Sequence, residues 1–215
     1  MLNYEINKSK EDKDCITNED YNESTLVEAK NDVEEDLINE ICKYYYNNDD
    51  KKTLDKYLSK VIKLASAKVA FWMLDNIKEA NSGIYKKLLS EIIFEKNDPY
   101  WITMYAKHIK GANKKLAESI ILSMKNPFAC YYYCLNVKGA NIKAHEYVFY
   151  LFNEDPKLAY LFAKNIKKSD KELHLQNIKE LNDEDFYNLF KHEIGDYTFY
   201  HDFDEDVYDN KIVKK

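Results

Sequence analysis

Apolar residues in the middle of this chain recur at i, i+4 and i+7, the spacing of one stripe along a helix. The stripe returns at steps of 32, 28 and 29 residues, in four sets: Ala70, Leu74 and Ile77; Ile102, Ala106 and Ile109; Cys130, Cys134 and Val137; Ala159, Ala163 and Ile166. A second stripe follows in three of the repeats: Leu88, Ile92 and Ile93; Leu116, Ile120 and Ile121; Ala144, Val148 and Phe149. The pattern predicts two short amphipathic helices in each repeat.

Helix-start signals lie at one fixed position, just before the first stripe of each repeat. The four residues there have side chains that can accept an N–H of a first helical turn: Ser66, Asp98, Asn126 and Asp155. Three of them are followed by the only prolines in the chain, Pro99, Pro127 and Pro156. Proline suits the first helical position because its missing N–H would have no helical partner there.

Lys-Gly-Ala-Asn occurs twice, beginning at Lys110 and Lys138, and predicts the corner between the two helices of a repeat. The glycine suits the left-handed residue after a helix end. The asparagine suits the N-cap of the next helix, and Asp170 has the equivalent place in the following repeat. In that repeat Lys168 replaces the glycine, which predicts a strained or differently shaped corner.

Further helices are predicted on both sides of the repeats. Asp32, with Glu35 three residues on, predicts an N-cap and a helix to about Tyr46. Thr53 predicts the start of another helix that ends near Leu64, and residues 185–193 have the form of a half repeat. Helices of about eleven residues are marginal alone in water, so each pair needs its neighbours. We therefore predict an all-α fold, an α-solenoid of about five short helical hairpins plus a terminal helix.

Charge separates the two ends of the chain from its middle. Residues 1–36 carry 12 acidic and 4 basic groups, and residues 196–215 carry 6 acidic and 3 basic groups. The whole chain has a net charge of −6, so the part between them is mildly basic. The predicted organisation is an acidic, disordered N-terminal segment (1–32), a helical-repeat domain (33–194) and an acidic, aromatic C-terminal tail (195–215).

The tandem pattern of Asp/Asn-Pro followed by Ile/Val-Lys-Gly-Ala-Asn covers about residues 66–178. It resembles uncharacterised helical-repeat proteins, of a KGAN type, from low-GC bacteria, their phages and giant viruses. The resemblance implies an α/α repeat fold and a viral or mobile-element origin, and it brings no catalytic residues. The likeness to HEAT repeats is architectural only.

Catalytic and metal-binding motifs are missing from the sequence. It has no P-loop, GxSxG, HExxH or paired-carboxylate motif. The histidines (His108, His145, His174, His192 and His201) fall at no shared repeat position and no metal-ligand spacing. Cys130 and Cys134 are placed like metal ligands, but other repeats have isoleucine or alanine at these positions, which indicates core packing. We predict a protein that is not an enzyme and has no cofactor or metal.

Three groups of residues are candidates for binding. Successive helix residues point about 100° apart, so part of each tyrosine run faces outward and predicts a partner-binding surface: Tyr44, Tyr45 and Tyr46; Tyr131, Tyr132 and Tyr133. The corner lysines predict an anion-contacting edge: Lys78, Lys110, Lys138 and Lys167. The tail has an acidic motif with aromatic neighbours: Asp202, Asp204, Glu205, Asp206 and Asp209.

The function predicted from these features is a non-enzymatic interaction scaffold that binds a protein or peptide through a tyrosine-rich surface. One alternative is a phage- or virus-encoded inhibitor whose acidic segments block a nucleic-acid-binding surface of a host enzyme. A second is weak nucleic-acid binding through the corner lysines, which the net charge and the absence of arginine disfavour. The sequence contains no signal peptide and no membrane span, so we expect a cytoplasmic protein, in the host cytoplasm if it is viral.

Overall fold

The computed structural model describes residues 25–48 and 51–195. This part of the chain forms eleven helices and no strand, which confirms the all-α prediction. The helices are α1 (Thr25–Asn48), α2 (Lys51–Leu64), α3 (Ala67–Asn76), α4 (Gly83–Glu95), α5 (Pro99–His108), α6 (Lys114–Ser123), α7 (Pro127–Asn136), α8 (Ile142–Phe152), α9 (Pro156–Asn165), α10 (Lys171–Glu180) and α11 (Glu184–Glu193).

The chain divides into two compact units between Ser59 and Lys60, a boundary that lies within α2. In the first unit, α1 and α2 are connected by a hydrogen bond from the Tyr57 hydroxyl to Glu40, with 3.4 Å between the oxygens. The buried apolar side chains of this unit are Leu37, Ile41, Leu54, Tyr57 and Leu58.

The second unit contains the repeats as a solenoid-like stack. Helices α3, α5, α7, α9 and α11 contact one another in succession and form one layer. The helices between them form the second layer, in which α6 contacts α8 and α8 contacts α10. From α3 to α11, each helix packs chiefly against helices one or two places away along the chain. This neighbour-to-neighbour packing is what stacked hairpins require.

The predicted N-caps of the first-layer helices are all formed. Ser66 and Asn126 accept from the backbone N–H three residues on, at 3.2 and 3.1 Å. Asp98 accepts from Tyr100 N–H at 2.8 Å and Asp155 from Lys157 N–H at 2.9 Å. Each satisfies a donor that the first turn leaves without a helical partner, so the caps fix where these helices begin.

The corners also follow the prediction at both glycines. Gly111 and Gly139 have φ of +69° and +89°, and each corner is closed by an N–H to C=O bond of 3.0 and 3.2 Å. At Lys168 the same bond persists, from Ser169 to Ile166 at 2.9 Å, but the lysine has no positive φ. This corner is therefore differently shaped rather than strained, because Lys168 stays out of the left-handed region that Gly111 and Gly139 occupy.

Two predicted helix starts were wrong. Helix α1 begins at Thr25, so Asp32 lies inside it, and α2 begins at Lys51, so Thr53 is not its N-cap. The residues before each false start, such as Glu28 and Lys52, are good helix formers. A cap-like residue followed by glutamate also fits the interior of a helix when the upstream residues continue it.

The buried stripe of the second-layer helices begins one residue later than predicted. Leu88 and Ala144 are only half-buried and Leu116 is exposed, whereas the next residue is buried in each helix. The buried pairs are Leu89 and Ile93, Ala117 and Ile121, His145 and Phe149, and His174 and Ile178. A one-residue shift turns a helix by about 100°, so it decides which side chains reach the interior.

Candidate functional site

Each helix of the first layer has one row of side chains that faces away from the buried core. On α7 this row is Phe128, Tyr132 and Leu135, at i, i+4 and i+7. Phe128 is 40% exposed and Leu135 is 43% exposed, while Tyr132 is half-buried. Because Cys130, Tyr133 and Val137 direct the opposite side of α7 into the core, this row cannot be buried within the stack. We call the row, with its neighbours on α5 and α9, the outer face.

Aromatic rings on the outer face stack across two helices. The ring of Tyr132 lies 6.0 Å from that of Phe128 on the same helix and 6.0 Å from that of Tyr100 on α5. Tyr100 is 37% exposed and meets Trp101 edge-on at 4.8 Å. The Tyr132 hydroxyl lies 3.9 Å from the sulfur of Met104. These contacts join side chains of α5 and α7 in one aromatic surface.

Lysines flank the apolar row of α7 on both neighbouring helices. Lys107 on α5 and Lys164 on α9 are exposed at the repeat position of Leu135, and Lys157 on α9 is exposed at that of Phe128. Lys107 donates to Asn136 Oδ1 at 2.8 Å, and Lys164 donates to Glu193 Oε2 at 2.8 Å. These contacts hold Lys107 and Lys164 along the edges of their helices. Of these two lysines, Lys164 is the one whose partner is a carboxylate and balances its charge.

The predicted tyrosine runs divide between interior and surface. Tyr131 is buried and accepts from Asn165 Nδ2 at 2.8 Å. Tyr133 is buried, donates to the Lys114 carbonyl at 3.1 Å and stacks on His145. Tyr132 is the member of this run on the outer face. Tyr44, Tyr45 and Tyr46 lie in the part of α1 whose side chains the structure does not describe, and their role stays a prediction.

The predicted lysine edge is placed at the corners, where all four side chains are exposed: Lys78, Lys110, Lys138 and Lys167. Lysines of the preceding repeat bind the corner carbonyls. Lys86 Nζ donates to the carbonyls of Lys110 and Gly111 at 2.6 and 3.0 Å, and Lys114 Nζ donates to that of Lys138 at 3.5 Å. The acidic motif Asp202, Asp204, Glu205, Asp206 and Asp209 lies outside the described residues.

A polar contact between neighbouring repeats, which occurs at two places, was not predicted. Glu118 accepts from the N–H of Asn141 at 2.6 Å and lies 3.3 Å from His145 Nε2. One repeat later, Glu146 accepts from the N–H of Asp170 at 2.6 Å and lies 3.3 Å from a second histidine. In each case a glutamate of one second-layer helix reaches the N-cap of the next one.

The histidines in these contacts occupy one repeat position, so the prediction that no two share a position was wrong. His145 and His174 are 29 residues apart, the same step as from Lys138 to Lys167. Both are buried, and Leu89 and Ala117 take the equivalent place in earlier repeats. Extending the repeat step to polar residues would have revealed the pair.

Burial lowers the pKa of both histidines below their ordinary value of 6.5. For His145 the charge of Glu118 opposes this shift, and for His174 that of Glu146 does so. Asp170 also raises the pKa of His174, while Lys171 lowers it. Nδ1 of His145 has no hydrogen-bond partner among the described residues, and its Nε2 lies 3.3 Å from the Glu118 carboxylate. The imidazoles are therefore neutral core groups near neutral pH, beside carboxylates that serve the helix caps.

The two cysteines of α7 are placed as core residues. Cys130 is buried, Cys134 is half-buried, and both are free thiols. Burial raises the pKa of the Cys130 thiol to about 12 and also raises that of Cys134. A metal ion binds the thiolate, so a metal would have to displace protons that burial helps these thiols to keep. The described residues contain no group of three histidine, cysteine or acidic side chains able to hold a metal ion.

No protein-family model, curated protein or solved structure matches this chain. The resemblance to KGAN-type repeat proteins therefore stays a prediction that depends on the repeat motif alone. None of the described helices combines the length and apolarity that a membrane crossing needs.

Proposed function

We propose that the protein is a non-enzymatic interaction scaffold that binds a protein or peptide partner on the outer face of α5, α7 and α9. The observation that supports this most directly is the aromatic stack in which the half-buried ring of Tyr132 lies between the exposed rings of Tyr100 and Phe128. Aromatic residues dominate binding energy at interfaces because they bury much area at a small cost in conformational entropy.

The repeat architecture explains how such a surface is held without a partner. Tyr131 and Tyr133, on either side of Tyr132, are fixed by hydrogen bonds to Asn165 and Lys114. These bonds orient α7 so that its apolar row stays outward. A surface that is ordered in advance loses little entropy on binding, which raises affinity.

The test is capture of a partner from the native host by the full chain, compared between two matched double variants. Phe128→Ser with Tyr132→Ser removes the centre of the outer face. Tyr147→Ser with Leu151→Ser removes two residues of α8 that are 50% and 53% exposed. We expect the first variant to lose affinity about 30-fold or more, as for a binding hot spot, and the second to keep it.

Equal capture by both variants and the wild type would contradict the proposal. A second measurement separates it from nucleic-acid binding at the corners. If the chain bound oligonucleotides with an affinity that fell steeply with salt, and if exchanging Lys110 and Lys138 for glutamine abolished it, the corner edge would be the functional surface instead.

A further inference from the structure

The outer face combines two chemistries that together restrict what can cover it. Its centre, on α7, is apolar: Phe128, Tyr132 and Leu135. Its margins carry the amino groups of Lys107, Lys157 and Lys164. A segment that fits must supply apolar anchors with acidic residues beside them, because a purely acidic segment leaves the rings exposed and a purely apolar one leaves the lysines unmatched.

The chain itself contains such a segment. After α11 and Gly195 the sequence continues as DYTFYHDFDEDVYDNKIVKK, residues 196–215. Its acidic residues alternate closely with apolar ones, as in Asp202-Phe203-Asp204 and Asp206-Val207-Tyr208. The alternation offers anchors and negative charge within the same few residues, which is the complement of the outer face.

The place where this segment leaves the fold brings it within reach. Helix α11 belongs to the first layer and contacts α9, which contacts α7. Packed helices lie about 8–10 Å apart, so two steps along the layer cover about 20 Å. Phe203 is the eighth residue after Gly195, and an extended chain of eight residue steps spans about 26 Å. Phe203 can thus reach the rings of α7 while the chain stays attached.

Acidic groups of the fold near this path do not balance the charges of all three flanking lysines. Glu193, at the end of α11, accepts hydrogen bonds from Lys164 and from the Tyr160 hydroxyl. This balances one of the flanking lysines. Lys107 and Lys157 remain as exposed amino groups on opposite sides of α7. The acidic residues of the tail would therefore meet lysines on both sides of the apolar row.

We propose that residues 196–215 dock in cis on the outer face, with Phe203 and Tyr208 as anchors against Phe128, Tyr132 and Leu135. The tail then covers the surface assigned above to a foreign partner, and the inference rests on that proposed function. A foreign partner must displace the tail and so carry the same chemistry, apolar anchors beside acidic groups. Attachment helps a weak segment to compete, because a short covalent link between two groups gives an effective concentration on the order of 1 mM.

Hydroxyl-radical footprinting of the full chain tests this directly. The wild type is compared with the variant Phe203→Ser/Tyr208→Ser, and oxidation is followed at Phe128, Tyr132 and Leu135. If the local dissociation constant is about 0.2 mM, the tail protects these residues about sixfold, so oxidation should rise about sixfold in the variant. Tyr147 and Leu151 on α8 serve as internal controls and should not change.

The outcomes separate docking in cis from every other case. Equal oxidation of the outer face in both proteins overturns the inference. Protection that disappears on dilution assigns the tail to a second copy of the chain and also overturns docking in cis. If the tail variant shows no change but Phe128→Ser/Tyr132→Ser still abolishes partner capture, the tail inference fails while the proposed function stands. Added salt should weaken the protection, since part of the attraction is between exposed charges.

Discussion

Replacing Glu146 tests whether the polar contacts between repeats stabilise the stack. The carboxylate is 4% exposed, accepts the N–H of Asp170 at 2.6 Å and lies 3.3 Å from His174 Nε2. In Glu146→Ala, the partly buried N–H of Asp170 loses its hydrogen bond to a charged acceptor. The buried imidazole of His174 loses its contact with the same carboxylate. Such a bond contributes about 1.5–3 kcal/mol, and the vacated volume adds to the loss.

We therefore expect Glu146→Ala to lower the free energy of unfolding by about 3 kcal/mol and the melting temperature by about 10 °C. Urea unfolding and thermal melts followed by far-UV circular dichroism measure both quantities. Hydrogen exchange adds a local readout, because the N–H of Asp170 should lose protection before the rest of α10 does.

Two further variants serve as comparisons. The first removes the charge without leaving a cavity, and the second is at the equivalent contact of the preceding repeat. Glu146→Gln keeps an acceptor oxygen of the same shape, so we expect it to lose about 1 kcal/mol. Glu118→Ala removes the equivalent group from a side chain that is 22% exposed, and water can then replace part of what is lost. If all three variants unfold within about 0.5 kcal/mol of the wild type, the contacts do not stabilise the stack.

Three further predictions concern single positions. Because burial lowers the pKa of His145 and His174, the unfolded chain binds protons that the fold excludes, so stability should fall as the pH drops from about 6.5 to 5. Exchange of both histidines for leucine should reduce the slope of the unfolding free energy against pH by up to about 1.4 kcal/mol per pH unit for each histidine. Urea unfolding at several pH values measures this slope. An unchanged slope would contradict the conclusion that both imidazoles are neutral in the fold. Gly139→Ala should cost about 1 kcal/mol of stability because its φ of +89° is strained for alanine. The cost is not steric, since a Cβ there meets no atom within 4 Å. If thermal melts show no loss of stability, backbone strain is not the reason for the glycine. Tyr133→Phe should cost about 1 kcal/mol through loss of the bond to the Lys114 carbonyl, as measured by urea unfolding, and a fully stable variant would show that stacking alone holds the ring.

The ends of most helices could be predicted from the sequence because they depend on neighbouring residues only. A cap at Asp98, a proline at its next position and a glycine at Gly111 each answer a local need of the backbone. The repeat step then predicted the order of hairpins in the stack. The same local rules failed at Asp32, where helix-forming residues upstream outweighed a cap signal.

The candidate site was only partly predictable. The run Tyr131–Tyr133 showed that some tyrosine must face outward, but not which one. The answer depends on the helices that pack against α7, which are α5, α6, α8 and α9: they bury two of the three rings and leave Tyr132 half-buried on the outer face. Tyr100 and Phe128 escaped notice because neither belongs to a run of three aromatics, and they become one surface only when α5 and α7 pack side by side.

The sequence by itself determined where the backbone turns, since caps, prolines and glycines act within a few residues of their own position. Only the tertiary structure decided which side of each helix is buried, since that depends on neighbours 24 to 30 residues away. Leu116 and Ala117 show the difference: their spacing fits the same pattern, yet the leucine is exposed and the alanine is buried. At a close approach of two helices the smaller side chain fits, and size at a contact is a property of the packed pair rather than of either helix alone.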